Sequence, residues 1–171
     1  LFAFIGITAN AQTYLIKIGN LKGDSQLFGF LGTDGWSYIY NFDLNISGNL
    51  QFIKTDFDLA LGKAECGMIE ITKNYSYQNS NELSKAVHNG VHFANVEIVG
   101  LKNGGMGGLV EFIHYTFTEA VFSKFNKTVN TGPDGQLRED IGFKSQTFKI
   151  DYKEVVPVAT FGWNFITNLP L

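Results

Sequence analysis

The sequence is 171 residues long, 44% hydrophobic and 17% charged, with a formal net charge of −3. That is one domain's length of chain, too apolar to be disordered, and its scattered Lys and Arg exclude a basic nucleic-acid surface. A single cysteine, Cys66, excludes an internal disulfide framework, and sixteen phenylalanines call for large buried faces.

In chain order, Leu1 to Ala11 carries no charge and lacks the alternation of a half-buried strand. It closes on Ala9-Asn10-Ala11, the small-x-small pattern that signal peptidase accepts. Residues 1–11 therefore read as the remnant of an export signal, cleaved between Ala11 and Gln12. Residues 12–171 read as a single domain, secreted or periplasmic. The stretch is far short of the ~20 apolar residues of a membrane span. Tyr14 to Ile18 is a short strand, and Asn20 to Thr33 a loop marked by Gly23, Asp24, Ser25, Gly29 and Gly32. Trp36 to Ile46 alternates, with Trp36, Tyr38, Tyr40, Phe42, Leu44 and Ile46 on one face. Ser47-Gly48-Asn49 reads as a hairpin turn returning through Leu50 to Leu61, and Met68 to Thr72 is a further strand.

The period then changes once. In Asn79-Ser80-Asn81-Glu82-Leu83-Ser84-Lys85-Ala86-Val87-His88-Asn89-Gly90, Asn79 or Ser80 can cap a helix, with Glu82 closing a capping box on Asn79. Leu83, Ala86 and Val87 form one stripe, and Gly90 suits the left-handed position after the last turn. Strand patterns resume at Val91 to Leu101 and Leu109 to Phe125, separated by the glycine-rich stretch 103–108. That stretch reads as a hairpin turn, because a phosphate-binding loop needs a helix immediately after it. Asn126 to Gln136 is a polar loop around Gly132-Pro133-Asp134-Gly135. Ile141 and Phe143 are odd, whereas Phe148, Ile150 and Tyr152 are even, which predicts a β-bulge at Ser145 to Thr147. Ala159 to Thr167 is the last strand.

The sum is an all-β fold, a barrel or a sandwich of two packed antiparallel sheets, with a single α-helix as plug. Leu83, Ala86 and Val87 should meet Phe93, Val96, Ile98, Phe112, Phe148, Ile150 and Trp163 in the core.

Candidates for chemistry are few. His88 and His92 have the four-residue spacing of two zinc ligands on a helix, but Gly90 ends the helix between them, and no third ligand stands at a fitting interval. Cys66 or a serine could pair with His114, but the chain has no strand-to-helix nucleophile elbow and His114 sits within a strand. Asp56 and Asp58 share one face of a strand, as a glycosidase pair or a solvated edge would. The expectation is a protein that is not an enzyme, with no catalytic, cofactor-binding or metal-binding residues and no nucleic-acid partner. An alternative is a sugar-binding β-sandwich whose Trp36, Tyr38, Tyr40, Tyr75 and Tyr77 stack on ligand.

Several segments, taken in order, carry a resemblance. Tyr14 to Ser25 (YLIKIGNLKGDS) resembles the opening strand and Gly-acidic-Ser turn of the haemolysin-coregulated proteins (Hcp), the tube proteins of type VI secretion systems. Ile69 to Ile98 resembles that family's strand ending in Thr-Lys, its helix ending in Gly-x-His, and its outgoing strand. YTFTEAVFSKF, REDIGFKSQTFKIDYKE and GWNFITN resemble the later strands. The chain departs from the pattern at Ser80-Asn81-Glu82-Leu83, which lacks the usual proline, and over Leu50 to Gly67, where members carry a variable extended loop. The resemblance implies a β-barrel-like domain that forms homohexameric rings. The rings stack into a hollow tube, with a spike, a sheath and small effectors as partners. The loops Asn20 to Thr33 and Leu50 to Gly67 are the expected stacking elements. Tube proteins need no export signal, so residues 1–11 also raise the alternative of an exported Hcp-like protein, acting at the envelope or outside the cell, that serves no secretion machine.

Overall fold

The computed structural model describes residues 12–52, 59–104, 108–128, 137–154 and 156–171. The segment 1–11, Asp56 with Asp58, the middle of the glycine run and the Gly132-Pro133-Asp134-Gly135 turn lie outside the described residues. The strands before the helix are β1 (Thr13–Ile18), β2 (Gln26–Leu27), β3 (Phe30–Leu31), β4 (Trp36–Asp43), β5 (Ile46–Phe52), β6 (Leu59–Cys66) and β7 (Ile69–Asn74). Helix α1 (Ser80–Asn89) follows. After it come β8 (His92–Asn103), β9 (Leu109–Thr128), β10 (Arg138–Lys144), β11 (Thr147–Tyr152), β12 (Ala159–Asn164) and β13 (Leu169–Pro170).

The strands neighbour one another in the order β10-β7-β4-β1-β8-β9-β11-β12-β13, and β9 also pairs with β10. That last pairing closes β10-β7-β4-β1-β8-β9 into a six-stranded antiparallel barrel. The 20-residue β9 is long enough to serve β8 on one edge and both β10 and β11 on the other. The strands β11, β12 and β13 therefore extend from the barrel as a flap, and β5–β6 forms a two-stranded sheet of its own. Among the described residues the architecture is all-β with one α-helix, as the sequence led us to expect.

Alternation fills the barrel. Ile16, Ile18, Ile69, Ile71, Val96, Ile98, Phe117, Phe122, Ile141, Phe143 and Phe148 are buried in one cluster, joined by Leu83 of α1. Leu83 and Ala86 are buried and α1 packs against β9, so the helix plugs the barrel as its apolar stripe suggested. Val87, Phe93, Ile150 and Trp163 flank the cluster, half-buried. Phe112 is not among them; its ring meets Tyr14 edge-on at 6.1 Å. A second cluster, Leu15, Trp36, Val99 and Leu101, lies on the opposite face of β1, β4 and β8. The β2–β3 hairpin covers it through Leu27 and Phe30. That hairpin sits inside the stretch expected to be a plain loop.

Several local expectations are corrected. β5 runs straight through Ser47-Gly48-Asn49 and pairs with β6 from Ile46–Cys66 to Phe52–Leu59. The Gly-Asn dipeptide serves an irregularity between Gly48 and Leu50 rather than a reversal, since those residues also tolerate bulge geometry. The even-numbered face of β4 is split. Ile39 pairs with Lys73 and Asn41 with Thr72, so Tyr40 is an extra residue on this edge. Trp36 and Tyr38 join the second cluster, whereas Phe42 and Leu44 join the main one.

The parity change after Phe143 is real, but its cause is not an insertion at Ser145 to Thr147. The register to β9 is the same on both sides, Lys144 facing Val121 and Thr147 facing Thr118. Both strands bend together, with Glu119 of β9 at φ 49°, and the register shift falls between Gly142 and Phe143. The expected last strand stops at Asn164. Its side-chain oxygen accepts from the backbone N–H groups of Ile166 and Thr167 at 2.9 and 3.0 Å and turns the chain.

At the helix start Asn79 is the N-cap residue, but its side chain makes no capping bond and Glu82 instead pairs with Lys85 at 2.9 Å, so no capping box forms. The helix end is as expected. Gly90 has φ 62°, and the Val91 N–H reaches the Ala86 carbonyl at 3.0 Å.

Candidate assembly surfaces

The buried charge at the helix start explains the missing capping box. On β7 the inward positions are Ile69, Ile71 and Lys73; on β10 they are Glu139, Ile141 and Phe143. Lys73 and Glu139 are cross-strand partners, have no exposed side-chain surface, and meet at 2.5 Å. Lys73 Nζ also donates to Asn79 Oδ1 at 2.9 Å and to the Asn74 carbonyl at 3.1 Å. Ser80 Oγ donates to Glu139 at 2.8 Å and accepts from the Ser76 N–H at 2.9 Å. Asn79 Nδ2 donates to the Lys22 carbonyl and to Ser37 Oγ. A charged donor outcompetes a helix N–H for the Asn79 oxygen. The network fastens α1 to β4, β7, β10 and the loop after β1. A lysine at an inward position of an alternating strand was the signal that sequence reasoning passed over.

The residues considered for catalysis are kept apart. His88 Nδ1 lies 2.7 Å from the Ser84 carbonyl, and exposed His92 is 3.9 Å from Glu119, so each has its own partner. Among the described residues no group of His, Cys, Asp and Glu is placed to hold a metal ion. Cys66 packs on the main core, 3.9 Å from Ser145 Oγ. His114 sits in a strip of charge across β8, β9 and β11, its ring nitrogens 2.8 Å from Glu111 and 3.2 Å from Glu97. Lys153 also reaches Glu111, at 2.8 Å. On the same strip, desolvation raises the Asp151 carboxyl. Hydrogen bonds from Thr160 and Lys149 outweigh it, and the net pKa lies below the ordinary carboxylate value. Burial pushes the Tyr115 hydroxyl up, helped by nearby Tyr152 and Tyr14.

Nor do the five aromatics form one stacking platform. Trp36 is buried and Tyr38 packs on the second cluster, whereas Tyr40 lies under the Arg138 guanidinium and Tyr75 under Lys127.

What remains prominent is structural. The β5–β6 hairpin leaves the barrel at its base, where the Ala64 N–H donates to Asn168 Oδ1 at 3.0 Å and the Gly67 N–H to the Asn45 carbonyl at 2.8 Å. The flap exposes Phe161, Leu169 and Leu171. At the barrel mouth, Tyr14, Ile39, Tyr40, Phe42, Leu44 and Tyr115 line an open groove of about 380 Å³. No helix among the described residues is long and apolar enough to cross a membrane.

Comparison with known proteins accords with this architecture. The family model described as "Type VI secretion system effector, Hcp" matches residues 15–155. A solved structure described as that of a type six secretion system protein superposes with a TM-score of 0.80 at 21% identity, covering 94% of this chain and 100% of its own. Hcp1 from Salmonella typhimurium gives 0.73 at 20% identity, with the same 94% and 100% coverage. The secreted protein Hcp3 from Pseudomonas aeruginosa gives 0.63 at 13%, covering 92% and 99%. At these identities the structures show a shared fold. Among curated proteins, none matches. With the family model spanning Leu15 to Val155, the chain belongs to the Hcp family of type VI secretion proteins.

Proposed function

We propose that this protein is the tube subunit of a type VI secretion system. Copies close into a homohexameric ring, and rings stack into a hollow tube that carries small effectors, with a spike at its tip and a contracting sheath around it. The observation that carries the reading is the family match over residues 15–155. The barrel supports it physically. A closed barrel is a rigid wall segment, and the separate sheet β5–β6, tied near its base to the β12–β13 turn by the Ala64–Asn168 hydrogen bond, can project to a stacked neighbour. The role is structural rather than catalytic. The segment 1–11 is an export signal cleaved between Ala11 and Gln12, which makes the mature protein secreted or periplasmic.

Light scattering on the purified protein tests the assembly. A mass six times that of the chain is expected, and a monomer across micromolar concentrations would reject the ring. N-terminal sequencing of protein from its native host tests the signal. Recovery of Leu1 or anything upstream would reject cleavage.

A further inference from the structure

We propose that the groove at the barrel mouth is a binding site for a neutral saccharide chain. The groove does not stand alone. A second one of about 430 Å³ adjoins the first, of about 380 Å³, and the two share Tyr14, Ile39 and Tyr40. Each lies within the roughly 300–1,000 Å³ of small-molecule sites, and together they make one cleft. Of the five aromatics weighed above as a stacking platform, only Tyr38 and Tyr40 reach it.

The chemistry of the wall selects the ligand. Among the described residues that line the cleft, none is charged. Beside the rings stand amides and hydroxyls, from Asn41 in the first groove and from Gln12, Thr13 and Tyr38 in the second. A phosphate or carboxylate ligand would find no cation in this wall, and a basic peptide no carboxylate. A wholly apolar ligand would strip water from the hydroxyls and amides without replacing its hydrogen bonds. A sugar chain meets both demands. Its C–H faces stack on aromatic rings, and its hydroxyls bond to phenols and amides.

The rings are set before any ligand arrives. Tyr40, 51% exposed, is the extra residue where β4 shifts register against β7, and such a bulge re-aims a side chain. The Arg138 guanidinium lies 4.5 Å from the centre of its ring, and Asn74 Nδ2 donates to its hydroxyl at 2.7 Å. Tyr115 meets Phe42 edge-on at 5.0 Å, and Tyr14 meets Phe112 in the same way. Rings already held in place lose little freedom on binding. Polar handles accompany them. The Tyr115 hydroxyl has no hydrogen-bond partner among the described residues, and burial raises its pKa, so it keeps its proton and stays a donor. Asn41 gives its amide N–H to Asp43 at 3.0 Å and keeps its carbonyl oxygen as an acceptor.

The test is saturation-transfer NMR on the full chain with three neutral probes, maltotriose, cellotriose and triacetylchitotriose, beside the anionic trigalacturonate. The method reads ligand protons, so its outcome is independent of whether the chain forms rings. At least one neutral probe should bind, and trigalacturonate should not. Tyr115→Phe removes a hydroxyl that the fold does not use, so affinity should fall roughly two- to twelvefold with thermal unfolding unchanged. Tyr40→Ala should abolish binding, and Y115F decides the matter if Y40A fails to fold. Tyr77→Ala removes an exposed ring outside the cleft and should bind as the wild type does. No transfer to any neutral probe, or equal binding of trigalacturonate, would overturn the proposal. Unchanged affinity in Y115F, or equal loss in Y77A, would overturn the assignment to this cleft. Each of these results leaves the tube reading standing, just as a monomeric wild type would leave the saccharide site standing.

Discussion

Lys73→Met is the most informative single change, because it removes one half of an ion pair that has no access to water. Glu139 then keeps its burial and the Ser80 hydrogen bond but loses its counter-charge at 2.5 Å, and Asn79 loses a charged donor at 2.9 Å. Breaking a buried pair from one side costs about 3–5 kcal/mol. For a domain of this size each kcal/mol moves Tm by roughly 2–4 °C, so a fall of roughly 6–20 °C is expected. The double variant Lys73→Met with Glu139→Leu removes the stranded charge along with its partner. It should recover most of that loss, because well-packed apolar replacements of buried pairs are often neutral or better. The assay is urea unfolding at one fixed protein concentration, since assembly stabilises by mass action. A cost under about 1 kcal/mol for Lys73→Met would refute the reasoning, as would a double variant no more stable than the single one.

Leu83→Ala should cost about 2–5 kcal/mol in the same assay, since the side chain is fully buried where the helix plugs the barrel; an unchanged midpoint would remove α1 from the core. Thr160→Val deletes a 2.7 Å hydrogen bond to Asp151, so the Asp151 carboxyl resonance should titrate at higher pH than in the wild type. The sign for stability follows. A carboxyl held below its unfolded value stabilises the fold above that value and loses this contribution as pH falls through the folded pKa. Acid unfolding of Thr160→Val should therefore begin at higher pH, and coincident acid transitions would contradict it. Asn168→Ala removes the bond to the Ala64 N–H and places alanine at φ 58°, so the urea midpoint should fall; an unchanged midpoint would show that this anchor is idle.

Most of the fold was legible because each strand carries one buried face, and period 2 survives in a sequence whatever its partners are. The strands flanking the glycine run were legible for the same reason, and they pair with each other, Asn103 facing Leu109 and the Gly104 N–H meeting the Gly108 carbonyl at 2.8 Å. Distortions were not legible. The extra Tyr40 on β4 and the joint bend of β9 with the β10–β11 junction depend on which strand lies opposite, and local pattern does not encode pairing. The capping box failed because a distant lysine claims the Asn79 side chain. The buried network was half visible. Lys73 stands at an inward position of an alternating strand, but its partner Glu139 follows only from the pairing of β7 with β10.

Electron microscopy of the purified protein tests the central claim most directly, by showing whether and how the barrels assemble. End views should show closed six-membered rings around an open centre, and side views should show those rings stacked coaxially into tubes. A field of single barrels, or of closed dimers that never form rings, would contradict it.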